Sequence, residues 1–293
     1  MTIRSWCTSI VIFANLFLIS ICSAQPNKND ALPSTAQPNV HVLDKQFHVP
    51  ELNGLRTVRI YLPPSYHQSK KHYPVVYMHD GQNLFDETTS KYGEWKVDEQ
   101  LNQLAQSHQI EMIVVGIDHG GDQVRLSELS PWENAKYGPA KGDIYANFVA
   151  KTLKPYIDTH YRTMPERDGT AIAGSSMGGL MSHYLLFKYP DIFSKAAILS
   201  PSYWYSEQVF DFTRSHIPKQ PVSIYMATGD KEPAVMTNNQ RDMLSLFSGS
   251  APHKFKIQAR IVSGKSHNEA FWSEEFRQAI LWLSHSHKDL KRN

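Results

Sequence analysis

The pentapeptide Gly174-Ser175-Ser176-Met177-Gly178 lies between an apolar run, Thr170-Ala171-Ile172-Ala173, and an apolar stretch over residues 180–187. The pattern is that of a strand, a very tight turn and a helix. A strand that reverses directly into a helix forces its central residue into a strained backbone conformation, tolerated only where the neighbours carry little or no side chain. Gly174 and Gly178 supply that room, and Gly179 adds space for close helix packing. Ser176 is therefore expected at the tip of a nucleophile elbow, exposed above a sheet edge, with N–H groups of the new helix aimed at any oxyanion formed there. Such a pentapeptide also arises by chance as a plain small-residue turn, and the flanking strand and helix are what give it meaning.

The rest of the chain is consistent with that element. Short, continuous apolar runs at residues 75–78 and 112–117 have the character of strands buried on both faces of a parallel sheet. Further strands are expected at 170–173, 196–199, 222–227 and 255–261, with helices over 95–108, 144–156, 237–247 and 274–285. Two early segments, 42–49 and 57–62, alternate apolar and polar residues and suggest an antiparallel hairpin at the sheet edge. Strands alternating with helices throughout imply one doubly wound α/β domain over residues 41–287, a size that suits 293 residues at 41% hydrophobic.

The ends are read differently. Arg4 precedes an apolar segment, residues 10–21, that closes on Cys22-Ser23-Ala24, so residues 1–24 have the form of a secretory signal, with an uncleaved anchor as the rival reading. Residues 25–40, rich in Asn, Pro, Ser and Ala, are expected to be a flexible lead-in, and residues 288–293 a solvated basic tail. Both cysteines, Cys7 and Cys22, fall inside the signal, which excludes disulfides and thiol catalysis from the mature chain. A net charge of +2 argues against nucleic acid or an anionic membrane as partner.

A serine hydroxyl attacks an ester only with a general base and a group that fixes the tautomer of that base. After a strand–elbow–helix nucleophile, these follow along the chain as an acid and then a histidine. His267, in the glycine-containing loop after the last expected strand, hangs where the base must reach the elbow, whereas His253 would project from the opposite sheet end. For the acid, Asp230 and Glu232 both follow the strand 222–227. Asp230 is the better turn former, which leaves Glu232 as first choice and Asp230 as alternative. The oxyanion hole is expected from the Met177 N–H and one donor in the loop after residues 75–78, Gln82 or else Gly81. The pair His79-Asp80 and the terminal His285 and His287 are weak as metal ligands, and no metal or organic cofactor is implied.

Over residues 42–283 the chain resembles the putative esterase family of α/β-hydrolases, which includes feruloyl and acetyl-xylan esterases, formylglutathione hydrolase and siderophore esterases. The resemblance rests on Met78-His79-Asp80-Gly81-Gln82-Asn83-Leu84-Phe85, Trp95 with Asp98, Gly174 to Gly179, Ser200-Pro201-Ser202-Tyr203-Trp204, Gly229 to Pro233, and His267 with Trp272. The Ser-Pro-Ser followed by aromatics is similar to the periplasmic siderophore-esterase branch. The resemblance implies an α/β-hydrolase fold, a Gly-x-x-acid turn that puts the triad acid at Glu232, and a small-molecule or carbohydrate ester as substrate. It departs from the family at His119, where relatives carry a small polar residue. His119, Tyr203, Trp204, Arg125 and Trp132 lie past strand ends or in adjoining loops and are expected to line or brace the substrate cleft. The resulting expectation is an exported serine esterase working through an acyl-enzyme, with acyl transfer on the same triad or a non-catalytic binding relative as alternatives.

Overall fold

The computed structural model describes residues 32–52 and 54–290, the side chains of 285–290 excepted, and a compact unit begins at Ser34. The expected signal at residues 1–24 and the side chains of His285 and His287 lie outside the described residues. In chain order the strands are β1 (Val40–Val42), β2 (Phe47–Val49), β3 (Gly54–Arg56), β4 (Val58–Tyr61), β5 (Val75–His79), β6 (Ile113–Ile117), β7 (Thr170–Ser175), β8 (Lys195–Leu199), β9 (Val222–Gly229) and β10 (Phe255–Val262). The helices are α1 (Val97–His108), α2 (Asp122–Glu128), α3 (Gly142–Asn147), α4 (Lys154–His160), α5 (Met177–Lys188), α6 (Gln208–Ser215), α7 (Ala234–Ser250) and α8 (Glu269–Leu290). A π-helical segment, Phe148–Leu153, joins α3 to α4.

Eight strands form one sheet in the order β1-β4-β6-β5-β7-β8-β9-β10, parallel from β6 to β10, with β4 and β1 antiparallel at one edge. The antiparallel edge differs in detail from the expected hairpin. Val40–Val42 pairs with β4, whereas Phe47–Val49 pairs with β3 in a separate two-stranded sheet. Asp44 and Lys45 break the apolar alternation between the two halves, so the segment divides there. The last helix, α8, continues through Leu290, into the expected tail.

Strand alternation puts successive side chains on opposite faces, and here both faces are covered. On one side Val75, Tyr77, Ile113, Val115, Ile172, Ile198 and Ile224 pack with Met181 and Leu185 of α5 and with Met243 and Phe247 of α7. On the other, Val76, Met78, Val114, Ala171, Ala173 and Leu199 pack with Leu101 and Leu104 of α1 and with Phe276, Ala279 and Ile280 of α8. The chain leaves β5 toward β6 and returns to β7 on the other flank of β5. The connections from β5 and β7 therefore diverge, opening a crevice at the carboxyl ends of these strands.

The expected flexible lead-in is corrected in its second half. The Ser34 hydroxyl donates to Asp86 Oδ2 at 2.5 Å, the Thr35 hydroxyl to Glu94 Oε2 at 3.1 Å, and the Gln37 N–H to Asp98 Oδ2 at 2.8 Å. Composition suggested flexibility because these residues have little to bury; they are held by polar contacts instead.

A buried ion pair braces the crevice rim. Arg56 of β3 donates to both carboxylate oxygens of Glu128, at 2.6 and 3.0 Å, and both side chains are nearly inaccessible. Glu128 closes α2 and also accepts the Gly120 N–H at 3.1 Å, so the pair fixes the loop after β6 to the small sheet. Removing one partner leaves an uncompensated buried charge. Glu128→Ala is expected to lower unfolding free energy by about 3–5 kcal/mol, read from urea denaturation midpoints. A change within about 0.5 kcal/mol would show the pair to be dispensable.

Candidate active site

Ser176 follows β7 directly and caps α5 with φ 56° and ψ −120°, a conformation rare for a residue with a side chain. The geometry depends on glycine before it: a Cβ on Gly174 would sit 2.8 Å from the Gly178 backbone. Two neighbouring turns show the same strain. Asp80 after β5 has φ 57° and Ser200 after β8 has φ 41°, so three adjacent strands each end in a left-handed, non-glycine residue. Each costs on the order of 1–3 kcal/mol, and such strain collects at functional sites.

The serine, histidine and glutamate expected from sequence meet. His267 Nε2 lies 3.0 Å from Ser176 Oγ, and its Nδ1 lies 2.7 Å from Glu232 Oε2. With Nδ1–H donating to the carboxylate, Nε2 is left as the acceptor for the serine proton. Glu232 is buried and takes two further donors on Oε1: the Ser200 hydroxyl at 2.6 Å and the Gly229 N–H at 2.8 Å. The Trp272 indole N–H donates to Ser200 Oγ at 2.9 Å, which commits the Ser200 proton to Glu232. The Trp272 ring also stands edge-on to the His267 imidazole, centroids 4.7 Å apart at 89°. Ser200 and Trp272 were visible in sequence only as parts of the family resemblance; no local pattern marks them as supports of the acid.

Asp230, the alternative acid, is not brought to His267. It is exposed, and its carboxylate accepts the Ser263 hydroxyl at 3.0 Å and the Gly264 N–H at 2.7 Å, bracing the loop that carries the histidine. The two loops pack closely because residue 229 is glycine: a Cβ there would meet the Lys265 carbonyl oxygen at 2.1 Å.

Met177 opens α5 beside the serine, and Gln82 lies in the short turn Gly81–Asn83 after β5, on the strand flanking β7. Gln82 Oε1 accepts the His119 N–H at 3.4 Å, and His119 Nδ1 accepts the Gly121 N–H at 2.9 Å, joining the loops after β5 and β6. Arg125 donates to both Asp80 oxygens, at 2.6 and 2.7 Å. Burial works to raise the Asp80 carboxyl, but the Arg125 guanidinium outweighs it and holds the group below the usual carboxylate range.

Ser176 and His267 open into a cleft of about 330 Å³, also lined by Tyr92, Trp95, Trp272, His119, Arg125 and Glu269. Of the residues expected there, His119 and Arg125 are present, while Tyr203, Trp204 and Trp132 are not among the lining. Tyr203 is fully buried and hydrogen-bonds His183 at 2.9 Å; Trp132 packs edge-on against Tyr184 and Phe212; Trp204 meets Tyr137. The aromatic faces of the cleft come instead from Tyr92, Trp95 and Trp272. Burial pushes the Glu269 carboxyl up, and Asp80 adds to the effect.

The architecture is that of an α/β-hydrolase: a mostly parallel sheet, a serine elbow after a central strand, and a histidine on the loop after the last strand. The sequence profile of the family described as Putative esterase matches residues 50–283, and the chain belongs to that family, an assignment that supports ester hydrolysis. It is 26% identical over 244 residues to the uncharacterized protein YbbA of Bacillus subtilis, covering 78% of this chain and 93% of YbbA. Among solved structures, the enterobactin esterase FES from Shigella flexneri superposes with a TM-score of 0.69 at 22% identity, covering 86% of this chain and 61% of FES. An IroE-like serine hydrolase from Shewanella oneidensis gives 0.67 at 22% identity, covering 82% and 79%. At that identity the structural likeness is one of fold.

Two buried histidines contribute to the acid lability of the fold. His79 donates or accepts at Nδ1 with Tyr145 at 2.8 Å, and burial lowers its pKa to about 4; burial lowers His183 to about 3. Both titrate near 6.5 when unfolded, so the unfolded chain binds more protons as pH falls below 6.5. Their contribution is complete above pH 6.5 and is lost as pH drops toward 4. The melting temperature is expected to fall steadily between pH 6.5 and 4, and His183→Gln should flatten that slope. An unchanged slope in the variant would assign the acid lability to other groups.

Proposed function

We infer that this chain is an exported serine esterase that cleaves carboxylic esters through an acyl-enzyme on Ser176. The observation that carries the reading is the unbroken hydrogen-bonded series from Ser176 through His267 to a buried Glu232. His267 takes the serine proton at Nε2 as Oγ attacks the carbonyl carbon, and Glu232 stabilises the resulting imidazolium without taking its proton. The Met177 and Gln82 N–H groups are assigned to the oxyanion. His267 then protonates the leaving alcohol, and in the second half it draws a proton from water that attacks the acyl carbon. Export is assigned to residues 1–24 on their sequence pattern.

For the alcohol or acyl part of the substrate, the lining favours an uncharged, hydroxyl-bearing group such as a sugar. Tyr92, Trp95 and Trp272 offer aromatic faces, Glu269 and Asn83 offer hydrogen-bonding groups, and the guanidinium of Arg125 is occupied by Asp80. A trianionic ferric catecholate would need cations that this arrangement does not present.

Hydrolysis of short-chain p-nitrophenyl esters, with fluorophosphonate labelling and peptide mapping, tests the reading. Label on Ser176 with loss of turnover is expected. Ser176→Ala should lower kcat by ~10³-fold or more, Glu232→Gln by roughly 10³- to 10⁴-fold, and Asp230→Asn by less than about tenfold. Full activity in Ser176→Ala would sink the mechanism, and a larger loss in Asp230→Asn than in Glu232→Gln would move the acid. Acetylated or feruloylated sugars should be turned over faster than ferric tris-catecholate lactones, and the reverse order would reject the substrate assignment.

A further inference from the structure

A second concentration of charge lies outside the catalytic residues. Glu94 precedes α1, and Asp98 and Glu99 stand in its first turn; each offers an oxygen, and these oxygens lie within 4.8 Å of one another. Carboxylates at a helix start are ordinarily solvated partners of the helix dipole. These are not solvated. Asp98 is fully buried, Glu94 is 7% exposed and Glu99 is half-buried. Moreover, Glu94 Oε1, Asp98 Oδ1 and Glu99 Oε2 are each buried without a hydrogen-bond partner. Among the described residues no lysine, arginine or histidine forms a salt bridge with any of the three.

Two buried carboxylates and a half-buried third, crowded together with unpartnered oxygens, need a shared proton or a cation among them, because an unpaired buried ion is strongly disfavoured. Their donor atoms are all carboxylate oxygen, which suits a hard cation and not zinc or copper. Among hard cations, Ca²⁺ takes such oxygen donors in a flexible coordination geometry. Burial also disfavours Mg²⁺, which keeps several of its waters. The second oxygens of two of them already hold residues 35 and 37: Asp98 Oδ2 accepts the Gln37 N–H and Glu94 Oε2 the Thr35 hydroxyl.

We propose that Glu94, Asp98 and Glu99 form a structural Ca²⁺ site that clamps residues 34–37 to the beginning of α1. The site is separate from the ester chemistry. It neutralises the carboxylates and fixes the segment that leads into β1.

The test uses the full chain stripped with EDTA and returned to metal-free buffer, titrated with CaCl₂ by calorimetry and melted with and without CaCl₂. One equivalent of Ca²⁺ should bind, and saturating Ca²⁺ should raise the melting temperature by roughly 5 °C or more. Asp98→Asn and Glu94→Gln should each weaken Ca²⁺ binding at least about tenfold and lose most of the thermal shift. Asp211→Asn, an exposed carboxylate on α6, is the control and should respond like wild type. Wild-type protein that binds no Ca²⁺ and melts at one temperature in both buffers overturns the proposal, the carboxylates then being balanced by shared protons. Retention of the full Ca²⁺ response in both variants overturns it equally.

Discussion

The buried carboxylate of Glu232 is the point on which the rest of the site depends. A charge removed from water is tolerated only when its lone pairs are met by donors, and here the donors come from three separate places. Ser200 lies at the end of β8, Gly229 at the end of β9, and His267 on the loop after β10. Satisfying one carboxylate therefore fixes the relative positions of three strand ends. Trp272, from the first turns of α8, completes the arrangement by holding Ser200 in the orientation that donates to the acid. The histidine is thus positioned from behind by charge and from the side by an aromatic edge.

The strain at the carboxyl edge of the sheet has the same logic. Asp80, Ser176 and Ser200 follow β5, β7 and β8, three neighbours in the sheet, and all three adopt a left-handed backbone. Regular strands would carry their last side chains onward within the sheet; the left-handed turns redirect them. At residue 80 the turn presents a carboxylate to Arg125, at 176 a hydroxyl to His267, and at 200 a hydroxyl to Glu232. The packed faces below, with Tyr77, Val115 and Ile172 on one side and Met78, Val114 and Ala173 on the other, supply the rigidity that holds these turns strained.

Much of this was legible along the chain. The elbow was readable because its requirement is local: small residues must flank a serine between a strand and a helix. The choice of Glu232 over Asp230 followed from turn chemistry, and the structure puts Asp230 where a turn former belongs, tying Ser263 and Gly264. The cleft was less legible. Tyr203 and Trp132 have the composition of a binding face but lie against His183, Tyr184 and Phe212, because an aromatic side chain suits a core as well as a cleft. The ordering of residues 34–37 was hidden for the converse reason: polar residues were read as loose, yet carboxylates on Asp86, Glu94 and Asp98 hold them.

By itself the sequence determined the alternation of buried strands and helices, the strained serine turn, and the order of serine, acid and histidine along the chain. These are consequences of backbone sterics and hydrophobic periodicity, which act within a few residues. Which aromatics line the cleft, which hydroxyl steadies Glu232, and how three carboxylates near the start of α1 come to lie together were decided only by the tertiary structure. Each depends on side chains distant in sequence, such as Ser200 and Trp272, and their meeting is set by strand order and register, not by any pattern along the chain.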